Sequence, residues 1–234
     1  MRIIVSEDIK NICPVFVGSC ITATVCNTSY SDALWEEIKE TCRIIKERFT
    51  LDAVKEIPAI AATREIYKIC GKDPSRYRPA AEALMRRVIQ GKSLYQCDTL
   101  VDLTNMASMI SGYSLGAFDS DKFHGYTLVL GIGRAGEPYE GIGRGMLNIS
   151  GLPVYRDSEG GVGTPTSDSE RTKVGLETSH LTVLVNGYHL TVLVNGYDGN
   201  ESHISETSEL IIRLLKQYCN AGNADYYIYK CNKG

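Results

Sequence analysis

No stretch of this chain stays apolar for the eighteen or so residues that a helix needs to cross a bilayer, and its N-terminus lacks the basic start, apolar core and small-residue cleavage site of a secretory signal. Membrane insertion and secretion are therefore not expected, and the chain reads as cytoplasmic. No two cysteines form a C-x-x-C pair. The eight of them (Cys13, Cys20, Cys26, Cys42, Cys70, Cys97, Cys219, Cys231) are scattered, which fits reduced, mostly buried thiols better than disulfides or zinc. The sequons at Asn27, Asn148 and Asn200 then carry no meaning. Histidine is sparse: His124, His180, His189 and His203 share no ligand-type spacing with one another or with a cysteine, so neither a metal nor a cofactor is expected. There is also no basic excess. A formal charge of −3 and a pI near 5.9 argue against gripping nucleic acid by bulk electrostatics, because counterion release needs clustered Lys and Arg. Any RNA contact must be local.

What is present is an ordinary globular composition, 43% hydrophobic and 23% charged over 234 residues, enough for one sizeable core. A single domain spanning 1–234 is expected. Strands are predicted at Ile3–Val5 and Val15–Val25, then a helix from near Ser31 with Leu34, Ile38, Cys42, Ile45 and Phe49 on one face. A second helix runs from about Ile60 to Cys70 and stops at Gly71. A third starts at Pro79, turns Leu84, Met85, Val88 and Ile89 inward, spaces Glu82 and Arg86 for an i,i+4 pair, and closes at Gly91. Leu100–Ile110 looks helical. Glycine then becomes frequent around short strands at Tyr126–Leu130 and Leu152–Tyr155. A helix carrying Leu210, Ile211, Leu214, Leu215 and Tyr218, with Ser205 as its expected cap, precedes a strand at Tyr226–Tyr229. The order predicts α+β layering, not a regular βαβ series.

One segment repeats letter for letter: His180–Tyr188 returns as His189–Tyr197. Solenoid periods are much longer, so this reads as a tandem duplication of one strand, or as an artefact. Asn186-Gly187 between two β-rich runs is also a hairpin signal, by which the second copy would add an antiparallel strand.

Two motifs fail their context. Gly131-Ile-Gly-Arg-Ala-Gly136 matches the dinucleotide fingerprint, but Glu137, Pro138 and the glycines that follow forbid the helix whose N-terminus must hold a pyrophosphate. Gly112-Tyr-Ser-Leu-Gly116 matches a nucleophile elbow, but a helix precedes Ser114 where a strand is required. Arg76, Arg78, Arg86, Arg87 and Lys92 form a modest basic group, readable as a solvated helix face or as a phosphate contact.

An ordered set of segments is more specific. Arg76-Tyr-Arg-Pro-Ala-Ala-Glu-Ala-Leu-Met-Arg-Arg-Val88, Leu100-Val-Asp-Leu-Thr-Asn-Met106, Leu115-Gly-Ala-Phe-Asp119, Gly136-Glu-Pro-Tyr139 and Asp168-Ser-Glu-Arg171 together resemble the B3/B4 domain, the editing domain of the phenylalanyl-tRNA synthetase β chain and of its free-standing bacterial relatives. The resemblance covers about Pro74 to Gly199. It implies a three-layer α+β fold with helices packed on an irregular β-sandwich, and tRNA or the 3′ end of aminoacyl-tRNA as partner. It also implies a pocket that in the synthetase hydrolyses tyrosine wrongly esterified to the tRNA for phenylalanine. Such a pocket holds an aminoacyl group and a ribose, positions water and stabilises an oxyanion.

By position, Thr104, Asn105, Gly116, Gly163 and Thr164 fall where the family lines that pocket, and Arg76, Arg78, Arg86 and Arg87 become the RNA contacts. Two departures stand out. Gly116 replaces the histidine of the bacterial L-H-A-F-D segment, and the Leu181–Val185 strand carries no acid where those enzymes have a glutamate. Loss of the histidine implies a wider pocket mouth, able to take another amino acid or a different ligand. The expected function is binding of the aminoacyl end of tRNA with hydrolysis of mischarged aminoacyl-tRNA in trans, an aminoacyl-tRNA deacylase. The alternatives are a non-catalytic amino-acid, small-molecule or RNA binding module, and an interaction protein with a decayed pocket. Complete ligase activity is not expected from this chain alone.

Overall fold

The computed structural model describes residues 1–187 and 200–231, and these form a three-layer α+β body. The first layer is a mixed sheet ordered β1 (Arg2–Val5), β4 (Thr127–Ile132), β7 (Pro153–Arg156), β8 (Gly161–Gly163), with β1 parallel to β4 and the other pairs antiparallel. The second is a fully antiparallel sheet ordered β10 (Gly222–Lys230), β2 (Val17–Thr24), β9 (His180–Gly187), β3 (Leu115–Asp119).

Side-chain alternation in the second sheet sends one set of residues to each face. Cys20, Phe118, Leu184 and Tyr229 meet Val5, Leu128, Leu130, Tyr155 and Val162 of the first sheet, while Ile21, Ala23, Ala117, Leu181 and Val183 face the helices. Tyr155 and Tyr229 hydrogen-bond hydroxyl to hydroxyl across the sandwich, 2.6 Å apart. The short helix α1 (Glu7–Ile12), which the sequence reading passed over, plugs one end of the sandwich with Ile9.

Three helices cover the second sheet's outer face: α2 (Asp32–Arg48), α5 (Thr99–Ser111) and α6 (Glu201–Tyr218), through Leu34, Ile38, Leu100, Leu103, Ile211 and Leu214. α3 (Pro58–Ile69) and α4 (Ala80–Ile89) lie beyond, α4 burying Met85 and Val88 against α2 and α5. Gly71 and Gly91, both at positive φ, end α3 and α4 as expected. A two-stranded ribbon of β5 (Glu140–Gly141) and β6 (Gly145–Met146) follows β4, and no helix opens after Gly136.

Three expectations need correction. The cap of α6 is Asn200, whose side chain accepts from the His203 N–H at 3.1 Å; Ser205 lies inside the helix, because the helix begins a turn earlier than its apolar face does. The terminal strand is nine residues long, extended by pairing along the whole of β2. Of the eight cysteines, all free, only Cys13, Cys20 and Cys219 are buried, since Cys26 and Cys97 fall in loops and stay exposed. The first copy of the repeat supplies β9; the second, His189–Tyr197, lies outside the described residues. No helix among the described residues is long and apolar enough to cross a membrane.

Candidate functional site

β3 is the edge strand of one sheet and β8 the edge strand of the other, on the same flank of the sandwich. Residues 164–173 lace the two edges together, Asp168 bridging to Gly163 and Lys173 to Phe118. The lacing is held at several points. The Thr164 hydroxyl donates to the Ser167 carbonyl at 3.0 Å and accepts from the Thr166 and Ser167 N–H groups, closing a tight local turn. Tyr139 donates to the Ser167 carbonyl at 2.7 Å, and Arg171 grips Asp157 with two parallel hydrogen bonds of 2.8 and 3.0 Å. The tip docks on the start of α4, where the Ala80 N–H donates to the Pro165 carbonyl at 2.8 Å and the Thr166 hydroxyl bonds to the Tyr77 carbonyl and to the buried Tyr67 hydroxyl.

This lacing delivers one carboxyl to the sandwich edge. Asp168 Oδ2 accepts from the Ala117 N–H at 3.2 Å, and Oδ1 has no hydrogen-bond partner among the described residues. A Cβ at Gly116 would stand 3.1 Å from Oδ1 and 2.6 Å from Phe118 Cζ; at Gly163 the distances would be 3.0 and 2.5 Å. Gly116 and Gly163 are thus brought together about the same carboxyl and the same ring. Burial pushes the Asp168 carboxyl up to about 8, against the weaker opposing pull of the Ala117 N–H, so it is largely protonated at neutral pH. The space expected to open with the loss of a histidine at Gly116 is therefore taken by Phe118 and Asp168, because the side chain two residues along a strand returns to the same face.

The other predicted residues fall on α5. Thr104 is buried and donates its hydroxyl to the Leu100 carbonyl at 2.7 Å, whereas Asn105 is half-buried and its side chain makes no hydrogen bond among the described residues. Most acids in the segments that carry the family pattern are partnered. Asp102 accepts from the Trp35 indole at 2.8 Å, Asp119 from the Thr178 hydroxyl at 2.9 Å, and Glu137 takes two hydrogen bonds from Arg156. Asp168, quoted in those segments but not chosen as a site residue, stands apart from them by its free oxygen. Its signal was present only as one more acid in a polar run.

Behind the docked tip lies a cationic shelf. Glu82 of α4 is fully buried and faces three guanidiniums: Arg64 Nη1 at 2.9 Å, Arg86 Nε at 2.7 Å and Arg78 Nε at 3.6 Å. That last distance is too long for a hydrogen bond, and the buried Arg78 Nε has no partner. Lys72 and Arg76 stack on Tyr77 beside it, at 4.0 and 5.6 Å from the ring centroid. The predicted Glu82–Arg86 pair is present. Arg87 points elsewhere, donating to the Ser93 carbonyl at 2.6 Å and lying 4.0 Å over Tyr95. Arg64 and Lys72 were missed by the sequence reading, since α3 reads only as an amphipathic helix.

A family model for the B3/4 domain matches residues 62–196, more than half of the sequence. The chain belongs to the B3/4 domain family. The match begins earlier than the motifs alone indicated and takes in Arg64, so both the shelf and the Asp168 lacing fall inside the B3/4 region. Among solved structures, an N-terminal fragment of the phenylalanyl-tRNA synthetase β-subunit from Pyrococcus horikoshii is similar at 13% identity and a TM-score of 0.45, covering 99% of this chain and 54% of that one. The B3/4 chain thus spans about half the length of that fragment. No curated protein matches it.

Proposed function

We propose that this B3/4 domain, residues 1–234 taken as one unit, binds the aminoacylated 3′ end of tRNA and acts on mischarged aminoacyl-tRNA in trans. The observation that carries this reading is the arginine shelf around Glu82: one carboxylate facing three guanidiniums leaves an excess of positive charge in an otherwise acidic protein, beside the loop that laces Gly163 to Asp168. Arg78, whose side chain is 41% exposed, and Arg76 are the nearest phosphate contacts, with Arg86 and Arg87 further along α4. Thr104, Asn105, Gly116, Gly163 and Thr164 frame the aminoacyl side.

One observation favours binding with hydrolysis left to water and the ribose hydroxyl rather than to a side-chain base. Every described histidine is engaged elsewhere: His203 hydrogen-bonds to the Ser111 carbonyl, His180 to Asp121, and His124 pairs with Glu159. The test is binding and deacylation over a panel of mischarged tRNAs at several salt concentrations. An Arg76→Ala/Arg78→Ala variant should bind more weakly and lower the salt slope by about 1.5 to 2, as two lost phosphate contacts require. Equal affinity for charged and uncharged tRNA, with no deacylation of any member, would sink the proposal.

A further inference from the structure

We infer that Asp168 is the ligand-recognising carboxylate of this domain and that it takes a primary ammonium, the α-amino group of an aminoacyl ligand. The inference rests on the reading above for the aminoacyl part and on three features of the edge site for the ammonium.

The first is the free oxygen. Asp168 is held by backbone from both sides, its own carbonyl accepting from the Ile142 N–H at 3.0 Å and its Oδ2 from the Ala117 N–H, so that Oδ1 is fixed in place without a partner among the described residues. Asp168 is half-buried, so this oxygen is held in place yet open to a donor from outside, and a charged donor makes the stronger hydrogen bond to it. The second is the pair of glycines. A Cβ at position 116 or 163 would stand 3.1 or 3.0 Å from Oδ1 and closer still to the Phe118 ring, so glycine at both positions adds no side-chain atom to the ring already beside this oxygen. The third is the absence of an internal cation. Arg171, three residues along the same lacing, is bound to Asp157, and Lys122 to Asp119 and Glu177, so neither neutralises Asp168. Around the carboxyl, β3 offers Gly116, Ala117 and Phe118, and β8 offers Gly163. The ribbon side offers the phenol of Tyr139, which donates to Ser167 and is itself pushed up by burial and by Asp168. Asp119 sits on the opposite face of β3.

An ammonium replaces the proton that burial keeps on the free carboxyl. Below about pH 8 the complex forms with release of one proton, and above it the α-amine, whose own ordinary value is near 8, loses its charge. Affinity for a free amine should therefore peak near pH 8.

The experiment uses the full chain with 3′-aminoacylamino-3′-deoxyadenosines, non-hydrolysable mimics of the aminoacyl-adenosine end, each with a free and an N-acetylated amine. Amino-acid amides without the nucleoside are titrated alongside by calorimetry from pH 6 to 9. The expected result is a preference for the free amine of roughly tenfold or more, the scale of one charged hydrogen bond, together with proton release below pH 8 and loss of both in Asp168→Asn. Equal binding of free and acetylated forms overturns the Asp168 assignment and leaves the aminoacyl-end reading standing. Amides that bind through Asp168 with no gain from the adenosine leave the assignment standing and overturn that reading. Silence from every amine probe overturns both. Should Asp168→Asn fail to fold, the free-against-acetylated comparison on the wild-type chain decides alone.

Discussion

Two carboxylates of this B3/4 domain, Glu82 buried and Asp168 half-buried, have surroundings that differ in kind. Glu82 sits among three guanidiniums on the helical shelf; Asp168 sits at the sandwich edge with one backbone N–H. A buried charge without compensation shifts toward its neutral form, and a buried charge with excess compensation leaves its partners reaching outward. On the readings proposed above, the first region would present charge to an anion and the second would take a cation.

The sharpest way to break the contrast is at Glu82. Glu82→Gln leaves three guanidiniums around a neutral amide and should cost about 3 kcal/mol in urea unfolding, the scale of breaking a buried pair. Arg86→Ala should cost less, since two cations remain. A loss below about 1 kcal/mol for Glu82→Gln would mean that the shelf is held by packing and not by its carboxylate.

Asp168 sharpens the other side through pH. Its folded value, about 8, lies above the ordinary 3.8, so the folded state holds a proton that the unfolded chain has released. The contribution of this group to stability is full below pH 3.8 and is lost as pH rises toward 8. Melting temperatures of Asp168→Asn relative to wild type should therefore climb from pH 4 to 8 and level off beyond. A flat difference across that range would show that the carboxyl titrates normally.

The smallest effect concerns Asn105. A half-buried amide without a protein partner should tolerate Asn105→Ala within about 0.5 kcal/mol, read as a melting temperature, while ligand binding weakens if that amide meets the ester or ribose. Lost stability with unchanged binding would instead assign Asn105 a purely structural place on α5.

The stripe Leu34, Ile38, Ile45 located α2, and Pro79 with Gly91 bounded α4 to within a residue, because helix period and backbone chemistry are local properties. The cap of α6 was misplaced because Asn200 precedes the apolar stripe by a turn, and α1 was passed over because six residues give too little periodicity. At the site, the family resemblance assigned Gly116 and Gly163 to one pocket; in the structure a Cβ at either would meet Phe118 and Asp168.

By itself, then, the sequence determined the element types, the layered α+β class and the family, since hydrophobic period, caps and an ordered set of motifs are written along the chain. Tertiary structure alone decided which acid stands unpartnered. Whether Asp102, Asp119, Glu137 or Asp168 finds a donor depends on Trp35, Thr178, Arg156 and Ala117. These donors lie 19 to 67 residues away in the chain, and pairing over such distances is fixed only when the two sheets and the lacing between them have packed.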